Sequence, residues 1–164
     1  MSDLLDVRGG TMTLANAALT GLSGTAKTIS YTGNPAFTIN GRLYTGDTCS
    51  GGALVTTDAT TGDAFLTLEN GYTCLFVFGW NAAGEWIVSQ GPIVATADVT
   101  NGAAALEFPS IPATMCPFAY VSMKHANATG FLFATGNWDQ SGLTIGTVVN
   151  CSLLPTQPLT AQTT

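Results

Sequence analysis

The sequence is short of positive charge. Four Lys and Arg residues stand against ten Asp and Glu residues in a chain of 164, which gives a net charge of -6. The basic residues are also scattered, at Arg8, Lys27, Arg42 and Lys124. Nucleic acids and anionic membrane surfaces are bound by clustered Lys and Arg side chains. We therefore expect neither nucleic acid nor membrane among the partners of this protein.

Charge of either sign is rare, whereas apolar residues and glycine are common. Charged residues make up 9% of the chain and hydrophobic residues 46%, and there are 19 glycines. Disordered chains combine high net charge with low hydrophobicity, and coiled coils are rich in Glu and Lys. Both classes are excluded. The length favours one globular domain, and the composition favours β-structure.

Metal-ligating residues are also few. The four cysteines are far apart in sequence, no Cys-x-x-Cys pair occurs, and there is one histidine. A zinc site would have to gather at least three distant thiolates. No phosphate-binding loop or dinucleotide fingerprint is present. We expect no metal and no cofactor, and we expect the cysteines to be buried free thiols.

Leader and membrane-spanning patterns are absent. Residues 1–6 lack a positively charged region followed by an uninterrupted apolar stretch, and no run approaches the roughly 18 apolar residues of a spanning helix. The sequence therefore predicts synthesis and folding in a cytoplasm.

Two hairpins are predicted by alternating apolar residues. An Asn-Gly pair in segment 37–44 fits a type I′ turn, with Ile39 paired to Arg42 and Phe37 to Tyr44. Segment 74–89 forms a second hairpin around a loop at 81–84. That loop places Phe76, Phe78, Trp80 and Ile87 on one face, and Leu75, Val77, Trp86 and Val88 on the other. Since both faces are apolar, the hairpin is either central in a two-layer core or covered by another subunit.

Further short strands complete an all-β prediction. They are expected from Thr28 and at Ala64–Leu68, Ala104–Phe108, Phe118–Lys124, Gly130–Ala134 and Leu143–Val149, separated by Gly and Pro. About eight strands fit a two-layer sandwich or jelly-roll-like domain. We assign residues 1–27 to an N-terminal arm with one or two helical turns or an extended course. Residues 28–152 form the β-sandwich domain, and residues 153–164 an extended C-terminal tail.

Candidate nucleophiles are weakly supported. Segment 46–52 partly matches the nucleophile segment of chymotrypsin-like proteases, but the sole histidine, His125, follows it, whereas those proteases place it before. A Cys49–His125 dyad would need the fold to bring two distant residues together. We expect a glycine-rich loop at 46–52 and a solvated loop position for His125.

Carboxylate chemistry is equally weak. Glu85 and Asp139 each neighbour a tryptophan, yet nothing in the sequence sets them at the separation that glycoside hydrolysis requires. Turn formation explains both. We therefore expect no catalytic residue and no enzyme. Sugar binding by exposed aromatic rings is an open alternative, at Tyr72, Trp80, Trp86 or Trp138.

Sheet edges are poorly protected in this sequence. Exposed edges are usually blocked by Lys, Pro or a covering segment, and this chain has two lysines. We infer that other copies of the chain or another protein cover much of the edge and face surface. A homo-oligomer is therefore expected.

The second half of the chain carries an ordered set of strand and turn motifs. A strand leads to an Ile-Pro turn, a Pro-Phe-Ala-Tyr-Val strand and a glycine-containing hairpin, in segments 90–94, 104–112, 117–121, 134–138 and 141–144. Over residues 72–150 this order resembles small virion structural proteins of tailed bacteriophages. The resemblance implies a β-rich head decoration or cement protein, commonly oligomeric and often trimeric. It implies no functional residues.

Such a protein would bind the major capsid protein on the exterior of the virion. Extended segments can wrap a neighbour or add a strand to its sheet. Our candidates for capsid or subunit contacts therefore lie in the arm and the tail: Leu4, Leu5, Val7, Leu153, Leu154, Pro155, Pro158 and Leu159. A tail or tail-fibre component that binds host-surface carbohydrate is one rival, and a free carbohydrate-binding module or hydrolase is another.

Overall fold

The computed structural model describes residues 10–15 and 17–159. Over these residues the chain is built of short antiparallel strands with one five-residue helix, α1 (Thr96–Thr100). The all-β prediction is confirmed. The strands are β1 (Met12–Thr13), β2 (Leu19–Thr20), β3 (Thr28–Tyr31), β4 (Ala36–Ile39), β5 (Arg42–Thr45), β6 (Cys49–Ala53), β7 (Tyr72–Trp80), β8 (Trp86–Gln90), β9 (Val94–Ala95), β10 (Cys116–His125), β11 (Leu143–Ile145) and β12 (Val149–Asn150).

A six-stranded sheet forms the centre of the fold. Its order is β11-β10-β7-β8, with β12 also paired to β10 and β9 to β7. The two longest strands, β7 and β10, pair along their whole length. Two three-stranded sheets, β1-β4-β5 and β2-β3-β6, complete the structure.

Both faces of β7 are buried by the chain itself. Phe76, Phe78 and Trp80 belong to a first core, with residues of the two small sheets. The intervening Leu75 and Val77 belong to a second core, with partners in the coil after α1 and in β10. Between the two explanations that the sequence left open, the structure therefore selects a strand central in the core.

The predicted faces of β8 are wrong because the turn before it is one residue longer. Trp80 pairs with Trp86, so residues 81–85 form the connection. The side-chain Oδ1 of Asn81 accepts hydrogen bonds from the backbone N–H of Ala83 and Glu85, at 2.9 and 3.1 Å. These bonds hold Glu85 in the turn. Since side chains alternate along a strand, Trp86 and Val88 join the first core and Ile87 the second.

The Asn-Gly hairpin is confirmed. Ile39 pairs with Arg42 and Phe37 with Tyr44, as predicted. Asn40 and Gly41 have φ angles of 52° and 78°, the two positive values that a type I′ turn needs.

Three predicted strands do not form. Residues 64–68 and 130–134 make only the isolated bridges Thr57–Ala64 and Leu68–Phe131, and residues 104–108 form no ladder. At 64–68 the side chain of Gln90 takes the place of a strand. Its Oε1 accepts from Leu66 N at 2.8 Å and its Nε2 donates to Leu66 O at 2.9 Å.

The other predicted strands hold with adjusted bounds. Phe118–Lys124 lies within β10, and Leu143–Val149 is divided into β11 and β12. Between them Gly146 N donates to Ser122 O at 2.8 Å. A register shift interrupts β10 between Pro117 and Ala119, where proline has no N–H for the ladder.

The described part of the predicted N-terminal arm is extended and packed on the body. β1 pairs with β4 and β2 with β3. Leu19 of β2 is buried in the first core. Thr13 N donates to Ser152 O at 2.9 Å, which places β1 beside the beginning of the tail.

One edge of the central sheet is covered by the chain itself. Ala59 N donates to Val88 O at 2.8 Å, and the Asp58 carboxylate accepts from Gln90 N at 3.4 Å. These bonds occupy backbone groups of β8 that would otherwise face outward. The inferred cover by other copies is not needed at this edge.

The Trp80 ring joins all three sheets. It stacks on Phe118 of β10 at 4.0 Å between ring centroids and on Phe37 of β4 at 5.2 Å. Tyr31 of β3 meets it edge-on at 5.7 Å. Trp80 is fully buried, so these contacts form the centre of the first core.

Replacing this ring should be severe. Trp80→Ala should lower the free energy of unfolding by about 3–5 kcal/mol, the usual cost of deleting a large buried aromatic. Tyr72→Ala, at the exposed end of the same strand, should cost about 1 kcal/mol or less. Urea denaturation followed by circular dichroism measures both, and equal losses would contradict a central role for the stack.

The Gln90 side chain should matter although its neighbour Leu66 is exposed. Gln90→Leu removes two hydrogen bonds to the Leu66 backbone and should cost about 1–3 kcal/mol. Gln157→Leu is the control, because Gln157 is exposed in the tail. Thermal unfolding separates the variants, and a Gln90 variant as stable as the control would show that these bonds add nothing.

Candidate interaction surfaces

An uncharged groove lies where the tail leaves the body. We name it the tail groove. Its volume is about 550 Å³, and its walls are the segments 108–113 and 152–156, with Thr11, Asn40 and Pro117. No charged side chain lines it, and four of its lining residues are prolines. The wall at 108–113 is not predictable from the sequence, where its prolines indicate only boundaries between strands.

The tail residues differ in what they contact. Leu154 packs against the second core, and the N–H of Leu159 donates to the hydroxyl of Tyr120 at 3.2 Å. Leu153 and the Leu159 side chain are 55% and 54% exposed. Pro155 lines the tail groove, whereas Pro158 lines the neighbouring cavity between the tail and segment 105–108. The predicted contact residues Leu4, Leu5 and Val7 lie outside the described residues.

A second groove lies between the beginning of β8 and strand β6. We name it the Trp86 groove. It holds about 650 Å³ and contains the side chains of Tyr31, Asp47, Glu85 and Trp86. Burial is the main cause of a raised pKa at Tyr31, and nearby Cys49 and Asp47 add to it. Asp47 and the buried phenol therefore face one space.

Two of the four aromatic residues considered for sugar binding are buried. Trp80 has no exposed surface, and Trp138 is 4% exposed with its Nε1 donating to Thr28 O at 2.8 Å. Both serve the first core. Tyr72 is 41% exposed and Trp86 is half-buried. Of these two, Trp86 lines a groove that also contains carboxylates.

Glu85 and Asp139 lie in different surroundings. Glu85 lines the Trp86 groove, where its Oε2 accepts from Asn81 Nδ2 at 2.9 Å. Asp139 is not among the residues of that groove, and its N–H donates to Gly24 O at 3.1 Å. Asp139, the other carboxylate considered for glycoside hydrolysis, therefore does not lie in the same groove as Glu85.

The Cys49–His125 dyad is ruled out by the topology. Cys49 pairs with Tyr31, whose ring contacts Trp80 at the Cys116 end of β10. His125 is at the other end of β10, nine residues away, which is about 30 Å at the usual rise per residue. The predicted solvated position of His125 is also wrong, because His125 is 1% exposed. It is part of a strand and not of a loop.

The four cysteines are free thiols, and burial makes three of them poorly reactive. Cys74 and Cys116 are buried, as expected, but Cys49 and Cys151 are half-buried. Burial raises the pKa of Cys74 to about 12 and that of Cys116 to about 11. Burial, with a smaller effect of Cys116, raises the pKa of Cys151 to about 11. Within residues 10–15 and 17–159, no three His, Cys, Asp or Glu side chains are grouped to hold a metal ion.

Comparisons with protein-family models, curated proteins and solved structures find no match to this chain. In the described part of the chain, no helix is long and apolar enough to cross a membrane. The tail groove and the Trp86 groove are candidate binding surfaces.

The raised thiol pKa values predict a loss of stability in base. The unfolded chain releases these protons near the ordinary pKa of 9, whereas Cys74 holds its proton until about 12. The raised pKa values therefore contribute their full stabilisation below pH 9. As the pH rises further, this contribution is lost and the free energy of unfolding should fall. Urea denaturation at pH 7, 8, 9 and 10 measures this.

The matched variant is Cys74→Ala. In this variant the free energy of unfolding should fall less steeply as the pH rises. Part of the fall that remains should come from Tyr31 and Tyr120, because burial also raises their pKa values. Equal stability at pH 7 and pH 10 in the unaltered chain would contradict the prediction.

Proposed function

We propose that this chain is a non-enzymatic head decoration, or cement, protein of a tailed bacteriophage. It binds the major capsid protein on the outer surface of the shell and stabilises the particle. The observation that carries the proposal is the tail groove, an uncharged cleft bordered by an exposed leucine, Leu153. Depletion of charged residues is typical of the central part of protein contact sites.

A two-layer sandwich is the fold that we propose for this role. The two three-stranded sheets share the first core with one face of the six-stranded sheet. The other face carries the second core, against which the tail packs through Leu154. This arrangement gives a rigid body with the tail on its surface, so one side can contact the shell while the core stays closed.

A homo-oligomer, with a trimer favoured, is part of the proposal. Leu14 and Leu43 are 55% and 62% exposed, and both lie in or beside the β1-β4-β5 sheet. Contacts between copies would cover them. Light scattering of the purified chain tests this part, and a monomer at micromolar concentration would remove it.

Reconstitution on particles tests the location. Capsids prepared without the chain are mixed with purified protein and imaged by cryo-electron microscopy. Ordered density on the outer shell, with the tail groove facing it, is the expected result. Bare shells with the protein at the tail would favour the second candidate, a tail or tail-fibre component. The Trp86 groove is the observation that favours that candidate.

The tail should carry much of the capsid affinity. Deleting residues 153–164, or making the double change Leu153→Ser and Leu159→Ser, should lower shell occupancy at least tenfold at limiting protein. Leu66→Ser is the matched control, because this leucine is exposed and neither lines the tail groove nor belongs to the proposed contact between copies. Occupancy is read from the copy number per particle after sedimentation. Full occupancy without the tail would remove it from the interface.

A further inference from the structure

We propose that the Trp86 groove is a binding site for neutral hexose oligosaccharides, distinct from the surface that contacts the capsid. The groove combines a half-buried indole, two exposed carboxylates and the hydroxyls of Thr48 and Ser50. An apolar ring beside several hydrogen-bonding groups matches a ligand that is itself apolar on one face and rich in hydroxyls at its edge.

Two glycines bring the walls of this site together. A Cβ at Gly84 would lie 2.8 Å from Thr45 O, and a Cβ at Gly46 would lie 2.9 Å from Gly84 O. The chain after β5 therefore packs backbone to backbone on the turn between β7 and β8. This contact places Asp47, next to Gly46, and Glu85, next to Gly84, at one rim. A residue other than glycine would fit neither position unless the neighbouring backbone shifted.

The indole edge of Trp86 is held open by a third glycine. A Cβ at Gly52 would collide with Cys49 Sγ and would stand 3.3 Å from Trp86 Nε1, so glycine leaves the space between this thiol and the edge of the indole ring. Trp86 follows the turn that Asn81 stabilises and pairs with Trp80. The position of the ring is therefore fixed by packing on the core. A binding site for a ligand of low affinity requires residues that are held in this way.

The charges of the groove select the class of sugar. Its lining includes Asp47 and Glu85 and no Lys or Arg. Carboxylates accept hydrogen bonds from hydroxyl groups, whereas sialic acid, uronic acids and sulfated sugars would meet like charge. A quaternary ammonium ligand is favoured by several rings around one cation, but here Tyr31 is buried and Trp86 is the remaining aromatic residue of the lining. A neutral hexose oligosaccharide fits best.

A glycan microarray with neutral, sialylated and sulfated oligosaccharides tests the proposal on the full chain. The expected result is binding confined to neutral hexose glycans. Titration calorimetry with the strongest of these should show at least a tenfold loss of affinity for Trp86→Ala and for Asp47→Ala. Asp47 is exposed, so Asp47→Ala keeps the test valid if Trp86→Ala fails to fold.

Matched controls separate this site from other surfaces. Tyr72→Ala removes an exposed ring, and Asp63→Ala an exposed carboxylate, outside the Trp86 groove. Both should bind as the unaltered chain does. The proposal would be overturned if the chain bound no neutral glycan or if it preferred anionic glycans or choline. Full affinity in Asp47→Ala would also overturn it.

Capsid binding gives an independent readout. Asp47→Ala should occupy capsids as fully as the unaltered chain, since Asp47 does not line the tail groove. Loss of glycan binding with full occupancy is the result expected if both proposals hold. A chain that binds glycans and not capsids would overturn the decoration role alone.

Discussion

The stack on Trp80 is the contact on which the rest of the structure depends. The three sheets of the protein meet at this one ring, through Tyr31, Phe37 and Phe118. Each of the small sheets has three short strands, and its apolar face can be buried only against another element. Their docking on the long pair β7 and β10 supplies that burial. The turns, the tail and both grooves are positioned by elements that this core holds in place.

The same core determines which surfaces are left for function. Backbone groups of β8 are satisfied by Asp58 and Ala59, and the bulky rings of Trp80 and Trp138 are enclosed. Among the surfaces that stay open are a groove without charge beside the tail and a groove with two carboxylates beside Trp86. Their different chemistry supports different partners, a protein surface at the first and a hydroxyl-rich ligand at the second.

Candidate site residues could be predicted only in part. Trp86 and Glu85 were singled out because a ring and a carboxylate are adjacent in sequence, but so are Trp138 and Asp139. The alternation of apolar residues does not show which of the two tryptophans is exposed, since the exposure of each ring depends on which strand packs over it. Asp47 was missed because it is 38 positions from Glu85, and the contact of Gly46 with Gly84 that joins them leaves no pattern in either segment.

The sequence by itself determined the all-β class, the Asn-Gly hairpin and the approximate positions of β7 and β10, because these follow from local backbone preferences and the alternation of apolar residues. The length of the turn after residue 81 is also a local effect, since Asn81 accepts from the N–H groups of Ala83 and Glu85, but the alternation of apolar residues does not show it. The tertiary structure alone decided that a glutamine replaces a strand at Leu66 and that His125 is buried. These two outcomes depend on hydrogen bonds and packing between residues distant in sequence, and no local pattern encodes those energies.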